Sequence, residues 1–585
     1  MILTKLSDYY DRLRNEKTVA EPGFERKEIP FIIILDRNGN VKGLRDTREG
    51  EGRKKVARSF LVPQGEKKTS GIRANLLWDT PNYVLGHNPD DPQKGEKQLL
   101  AFRERLAETF EGLDDPGIVA LRLFLDSRRP PEQETTWGEV LDTGGNMSFM
   151  LENDDCLICQ RPAVVDWLRQ RLGSSTAPRQ QCLISGRQDV PAVLHTSIKG
   201  VWGAQSSGAN IVSFNLDAFR SFGKDQGLNA PVGTTSEFAY TTALNTLLAK
   251  GSTQRMQVGD ASTVFWAKER HPFEQEFSDL FAEPGDRNGP DPRISAVRSL
   301  LSAAQSGVYP PEDDIPFFVL GLSPNAARIS VRFWLEGSVK EFKEQVCRHF
   351  EDTSIVHGPN EPEYLSIFRL LICTCMEGKA DNIQPNLAGD FMKSILKGAP
   401  YPRTLLAAVI RRLKAEQSKR GSDGRVLQNV TYPRAALIKG ILVRNSRFYH
   451  QNSNNKEVDV SLDRENYNIG YLLGRLFAVL ERSQQAALGD LNATVRDRFY
   501  GAASTNPITA FPRLVKLNNH HLTKIENRGY AINLEREIGS IMDGITTFPA
   551  HLSLDDQGRF AIGYYHQRQH FFTKVREEKN DQSNQ

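Results

Sequence analysis

At 585 residues and 65.8 kDa the chain is too long for one ordinary domain and long enough for several hydrophobic cores. A formal charge of only +3, six scattered cysteines and no run near the roughly 20 apolar residues that cross a bilayer exclude a histone-like coat, a disulfide scaffold and a membrane span. The charge is segregated: from Tyr401 onward 27 Lys and Arg face 18 Asp and Glu, a net of +9, so residues 1–400 carry −6. Such segregation suits polyanion contact on selected surfaces, and an N-terminus without an apolar leader makes the cytoplasm the expected location.

In chain order, Leu3, Leu6, Tyr9, Tyr10 and Leu13 recur at helical spacing. Ile29–Asp36 then reads as a strand, Arg37-Asn-Gly-Asn as a turn, and Val41 and Leu44 as the start of a partner strand. Gly52–Arg73 gathers Arg53, Lys54, Lys55, Arg58, Lys67, Lys68 and Arg73 against a single Glu66, and Asn75, Trp78, Asn82 and Tyr83 follow. Cations attract phosphates whatever the base sequence, whereas an Asn amide can pair with a base edge, so this stretch reads as a nucleic-acid surface. Phe60-Leu-Val-Pro63 offers it an apolar anchor, and Lys67, Lys68, Ser70 and Gly71 read as a loop between anchored elements.

Gly95–Thr109 and Gly117–Arg129 are mixed helical and strand-like segments. Cys156-Leu-Ile-Cys159 can bite one zinc ion with Cys182 and His195 completing the set, or the thiols can simply be buried in a core strand. Lys199, Gly200, Gly203, Gln205, Ser206, Ser207, Gly208 and Asn210 form a Gly-rich polar loop before the strand-like Ile211–Phe214. The loop lacks the GxxxxGK[ST] arrangement of a nucleotide phosphate cradle, leaving a nucleic-acid backbone contact or an ordinary turn. Phe222, Gly223, Lys224, Gln226 and Asn229 continue the polar, partly basic stretch, and Phe238–Leu248 has helical spacing. Val264-Phe-Trp266 ends a core strand, and Glu269–Asp314, rich in prolines and acidic residues, reads as an exposed insertion or boundary. Pro316–Asn325 and Arg328–Trp334 restore strands, the second with Arg328, Ser330 and Arg332 on one face, suited equally to phosphate contact or to a salt-bridged solvent face.

Helices dominate afterwards, at Phe342–Phe350, Tyr364–Cys375, Asp390–Leu396, Thr404–Lys414, Tyr432–Arg444, Ile469–Arg482, Leu514–Leu522 and Ile532–Ile545. Arg411, Arg412, Lys414, Lys419 and Arg420 make one stretch basic, and Arg496, Arg498, Arg513, Lys516, Lys524 and Arg528 can decorate a nucleic-acid-facing side of the bundle. The expected class is therefore α+β and multidomain: a mixed nucleic-acid portion over 1–315, a connecting strand-and-helix region over 316–400 and a helical bundle over 401–585. No compact His-Asp, Asp-x-Asp or HExxH array is present, so the expectation is a protein without catalytic or metal site and without a cofactor.

A series of segments in order carries a family resemblance: Met1–Tyr10, Leu61-Val-Pro63, Gly71-Ile-Arg-Ala-Asn-Leu-Leu-Trp78, Leu194–Gly200, Ile211–Asn215, Phe219–Pro231, Val264–Ala267, Leu320–Arg328, Val331–Trp334, Tyr471–Glu481, Ala502–Pro507 and Ile562–Arg568. Across almost its whole length the chain resembles the large subunit of the type I-C CRISPR surveillance complex, Cascade. The resemblance implies a noncatalytic subunit near the 5′ end of the CRISPR RNA. It would recognise the protospacer-adjacent motif in target double-stranded DNA, assist opening and stabilise the R-loop. Its implied partners are the CRISPR RNA, the backbone and 5′-handle-binding subunits, small subunits and a separate helicase-nuclease. The family's motif-reading loop corresponds here to Lys67, Lys68, Gly71 and Asn75, with Asn75 testing a base edge and the lysines positioning phosphates. In this family the bundle can also be made separately from an internal start. No Met lies between Met392 and Met542 here, so such a product, beginning near Asn468 to Val479, would need a different start codon. The alternative is an RNA-binding assembly scaffold that reads no duplex motif.

Overall fold

The computed structural model describes residues 1–50, 55–66, 71–127, 135–173, 177–281, 297–298, 300–301, 311–379, 382–384, 387–422, 424, 426–449, 457–489 and 493–583. The chain is an α+β protein of two compact units, one formed by Met1–Thr196 and Val212–Leu244, the other by Ser197–Ile211 and Asn245–Gln585.

In the first unit the unbroken apolar run Phe31–Leu35 can satisfy no solvent face, and it becomes an inner strand. It pairs antiparallel with Val41–Asp46 and parallel with Met147–Leu151, and the latter takes the short Trp78–Asp79 strand on its far side. Helices Pro92–Thr109 and Pro116–Ser127 lay Phe102 and Phe124 against Phe149, with ring centroids 6.2 and 6.0 Å apart. The turn after Leu35 is built by Asp36, whose Oδ1 accepts the Asn38 and Asn40 N–H groups at 2.9 Å. The hydrogen bonds from Asn40 hold the Asp36 carboxyl below its ordinary range. Helix Ile2–Asn15 buries Leu6, Tyr9, Tyr10 and Leu13, the stripe that the sequence spacing dictates.

The second unit begins as an antiparallel meander of Arg255–Val258, Ala261–Ala267, Pro316–Asn325 and Arg328–Ser338. Alternation puts Phe265 and Phe317 on one face with Phe273, Phe277 and Phe342, and Trp266, Phe318 and Trp334 on the other. Ser338 and Glu341 form a capping box that launches helix Val339–Thr353 directly from the last strand. Helices Leu387–Leu396, Arg403–Ala415, Tyr432–Tyr449, Ile469–Leu488, Val495–Ala503, Pro507–Lys524, Arg528–Met542 and Leu554–Ser583 follow. Helices Ile469–Leu488 and Leu554–Ser583 cross backbone to backbone. A β-carbon on Gly474 would lie 2.0 Å from the Phe560 carbonyl oxygen, and one on Gly563 2.1 Å from that of Tyr471, so only glycine permits this approach.

Three expectations are corrected by this architecture. The boundary at 315/316 falls inside one sheet, because Ala261–Ala267 pairs with Pro316–Asn325 around the insertion. Residues 316–400 are no connector either, since Phe317, Phe342 and Phe391 share one hydrophobic core with Leu437 and Leu476 of the bundle. Cys159 lies in a 3-10 turn at Ile158–Gln160 and not in a strand, because the Gln160 side chain accepts the Leu157 N–H at 3.2 Å and closes the chain on itself.

Candidate nucleic-acid interface

The basic stretch of the first unit grows from the edge of the sheet. Strand Phe24–Glu28 pairs with Ser59–Pro63, and Arg48–Glu49 with Val56–Ala57, so two antiparallel ribbons lead out to residues 51–54 and back. Thr47 makes the bend between them: its hydroxyl donates to the Ile29 carbonyl at 2.6 Å and its N–H to Pro30 at 2.9 Å. Lys55 and Arg58 are exposed on the returning ribbon. Arg48 is not available in the same way. It grips Asp46 through two bonds of 2.9 and 2.7 Å and lies 4.5 Å over the Phe31 ring, and that guanidinium holds the Asp46 carboxyl below its ordinary range. Arg53, Lys54, Lys67 and Lys68 lie outside the described residues.

The chain on either side of residues 67–70 is held by a braced base. On its near side Gly65 N–H donates to Glu25 Oε1 at 3.0 Å, and Glu66 N–H donates to Asn75 Oδ1 at 2.9 Å, joining the two ends directly. Asn75 N–H in turn donates to Asp79 Oδ2 at 2.7 Å, and Asp79 is fully buried. Arg105, from helix Pro92–Thr109, spans both ends: one guanidinium nitrogen meets Glu66 Oε1 at 2.6 Å and the other the Ala74 carbonyl. Trp78 seals the base, its indole N–H donating to the Pro63 carbonyl at 2.7 Å with Lys27 5.2 Å above the ring. Gly71 and Arg73 remain exposed beyond this base.

Asn75 therefore differs from its expected role. It is 5% exposed, and its side-chain oxygen already accepts the Glu66 N–H. It closes the loop instead of presenting an amide to a base edge. Arg105 went unnoticed in the sequence, since nothing in an ordinary amphipathic helix marks one arginine as a tie between residues 66 and 74.

In the second unit the Lys199–Gly208 loop has an equally firm neck. Ile198 and Ala209 exchange N–H···O bonds of 2.8 and 2.9 Å, and Lys199 N–H donates to Asn245 Oδ1 at 2.8 Å. Gly200, at φ 85°, passes so close to Leu248 that a β-carbon would lie 2.5 Å from its carbonyl oxygen. Lys199 and Gln205 are exposed, together with Trp202, an aromatic that sequence reasoning passed over although it stands in a Gly-rich polar loop. The neighbouring Arg332 pairs with Asp260 at 3.0 Å, which favours the salt-bridged reading of that strand face.

The remaining cations separate into two populations. Lys224 in the first unit, and Arg411, Arg498 and Lys516 on the bundle, are exposed; Arg412 is half-buried, 3.7 Å from Glu416. Arg496 also departs from its expected role. It is 1% exposed, its guanidinium 3.9 Å from Glu481 and 3.8 Å from Asp497, and it decorates no surface. Glu481 also accepts Tyr564 at 2.7 Å and Arg568 at 3.0 Å, so one carboxylate serves two cations and a phenol inside the bundle.

The zinc set does not assemble. Cys159 packs in the first unit's core with its thiol toward the Leu61 carbonyl, and burial pushes that thiol up to about 12. The Cys182 thiol contacts Ser236 at 3.4 Å while its sulfur receives the Ile184 N–H at 3.4 Å, and His195 Nδ1 sits 2.5 Å from the Tyr240 hydroxyl. Burial raises the Cys182 pKa, but the Ser185, Ser236 and Gly233 donors outweigh it and bring the thiol to about 7. Among the described residues no three His, Cys, Asp or Glu side chains converge on a metal position. No helix among them is long and apolar enough to cross a membrane.

The scaffold is thus an α+β one that carries exposed cations beside two firmly bonded loop bases. The model of the family described as CRISPR-associated protein (Cas_Csd1) matches residues 6–572, and the chain belongs to this CRISPR-associated family. Membership supports its being a subunit of a Cascade complex, the RNA-guided assembly of CRISPR defence. No curated protein matches the sequence.

Proposed function

We propose that the chain is the noncatalytic large subunit of a type I-C Cascade, admitting target DNA by testing the flanking motif beside the guide-complementary sequence. The observation that carries this reading is the braced base beneath Lys67–Arg73. A loop that must discriminate duplex sequences needs anchored ends, and the Glu66–Asn75 bond with the Arg105 tie anchors the residues on either side of it. Lys55, Arg58 and Arg73 flank it with exposed positive charge. The exposed Arg411, Arg498 and Lys516 offset phosphate repulsion along the strand displaced as guide RNA pairs with target. Partners in this reading are the CRISPR RNA, target duplex, backbone and 5′-handle-binding subunits, small subunits and a separate helicase-nuclease.

The test uses the assembled guide-bearing complex and two duplexes that differ only in the flanking motif. The expected result is preferential binding of the motif duplex, with Lys67→Ala and Lys68→Ala together lowering affinity on both. Equal affinity of the wild-type complex for the two duplexes would turn the reading toward an RNA-binding assembly scaffold. Metal-dependent strand cleavage by the purified chain would overturn its noncatalytic character.

A further inference from the structure

Residues Ser221–Lys224 make a two-residue reverse turn closed by the Lys224 N–H to Ser221 carbonyl bond at 3.0 Å. Both central residues have positive φ, 51° at Phe222 and 68° at Gly223. That is the signature of the type I′ turn, whose first position normally holds Asn, Asp or Gly because a β-carbon crowds the left-handed backbone. Gly223 meets the requirement, whereas Phe222 opposes it. Nor does the ring return anything to the core, since Phe222 is 97% exposed, the most exposed large apolar side chain among the described residues.

The turn is nevertheless held firmly. Asn229 braces it at three points: its Oδ1 accepts the Ser221 N–H at 2.9 Å, and its Nδ2 donates to the carbonyls of Lys224 at 3.0 Å and Gln226 at 2.9 Å. Arg220 is drawn back by Asp217 at 3.4 Å and Asp225 at 3.2 Å, leaving Lys224 exposed on the other flank of the ring. A disfavoured backbone persists only where its surroundings over-determine it, and such residues gather where function requires a fixed presentation. Turn closure alone explains Gly223 and Asn229 and leaves the phenyl ring unexplained.

We propose that Phe222 is a stacking platform for an unpaired nucleobase, with Lys224 taking an adjacent phosphate. An aromatic face beside a cation is the combination by which single strands are held without reading their sequence. The proposal rests on the chain working against nucleic acid and adds a site outside the motif loop. A pocket on a protein partner would need apolar bulk at this position but not a π-face, which separates the two by substitution.

The experiment measures fluorescence anisotropy with the full-length protein and four probes: single-stranded DNA and RNA of one 12-nucleotide sequence, and abasic strands of each type with the same length. Base-bearing strands should bind about tenfold more tightly than abasic ones. Phe222→Asn and Phe222→Leu should erase that difference and Phe222→Trp should keep it. Phe222→Asn should also melt at or above the wild-type temperature, because the turn prefers Asn, so the loss cannot be one of folding. A larger base-dependent gain with DNA would assign the platform to the target strand, and with RNA to the guide. Retention of wild-type binding by Phe222→Leu would overturn stacking in favour of an apolar protein contact. Equal wild-type binding of base-bearing and abasic strands would overturn stacking alone, and binding of none would overturn the nucleic-acid reading with it.

Discussion

The basic arm of the first unit and the helical bundle of the second are both rich in cations and use them in opposite ways. Lys55, Arg58 and Arg73 are exposed at the surface, while Arg48 is matched tightly by Asp46. In the bundle Arg434, Lys439, Arg444, Arg475 and Arg496 are all buried. Arg444 meets Asp352 at 2.9 Å and the Ser394 carbonyl at 2.9 Å, while Arg475 reaches Gln567 at 3.1 Å and Glu537 at 3.3 Å. Five of the 27 cations beyond Tyr401 are thus used as internal mortar. Net charge locates a footprint only after the buried pairs have been taken out.

Breaking a buried pair should have the largest effect. Asp352→Ala strands Arg444 in a low-dielectric core and removes the partner of Arg447, so it should cost about 3–5 kcal/mol in chemical denaturation. Arg58→Ala should leave the denaturation midpoint where it was. Comparable losses from the two would collapse the distinction between inward and outward cations.

Loosening the braced base at Glu66 and Asn75 comes next. Arg105→Ala or Asn75→Ala should reduce discrimination between motif and nonmotif duplexes by about tenfold, some 1.4 kcal/mol, with little change on the nonmotif duplex. Arg105→Lys should recover part of it. If loop substitutions at Lys67 and Lys68 alter binding while Arg105→Ala does not, the tie is structural only.

A pH dependence should arise in the second unit. Burial pushes His349 and His566 down to about 3, and each accepts or shares a proton with a tyrosine, Tyr401 at 2.6 Å and Tyr471 at 3.0 Å. Both pKa values are lower folded than unfolded, so the neutral histidines contribute stability that is fully present above the ordinary value near 6.5 and is lost as pH falls toward 3. The cost is about 1 kcal/mol or less per histidine at pH 6. A melting series from pH 8 to 5 in wild type and His349→Gln/His566→Gln measures it, and an undiminished acid slope in the double variant would assign the effect elsewhere.

The smallest effects belong to single exposed cations. Lys55→Ala and Arg58→Ala should each lower the salt dependence of duplex binding by about 0.9 in log–log slope if they neutralise a phosphate. Arg496→Gln should leave that slope unchanged and lower the melting temperature instead. A fallen slope in the Arg496 variant would place that residue at the interface after all.

Much of the fold was legible because periodicity reports burial directly. The Leu6–Leu13 stripe, the Phe31–Leu35 run, the Val264–Trp266 core strand and the late amphipathic helices all form where spacing puts them. The boundary at 315 was drawn wrongly because a Pro-rich insertion looks the same whether it separates domains or interrupts a sheet. Arg496 was misplaced although a signal existed: it shares its helix face with Tyr500 and Ala503, four and seven residues on, both buried. The braced base at Glu66 and Asn75 had no such signal. It depends on Glu25, Glu66, Asn75, Asp79 and Arg105 meeting through tertiary structure, and no spacing along the chain records that meeting.

The glycine crossing of helices Ile469–Leu488 and Leu554–Ser583 has a genetic consequence. Both helices lie beyond Asn468, whereas Asp352 and Arg444 lie before it. If the last fifth of the gene, from about Asn468, also yields its own polypeptide, an allele at the Gly474 codon damages the long and the short product together, and an allele at the Asp352 codon damages the long one alone. Complementing each allele with a plasmid that encodes only the last fifth would then assign a phenotype to one product or the other, without altering the start site itself.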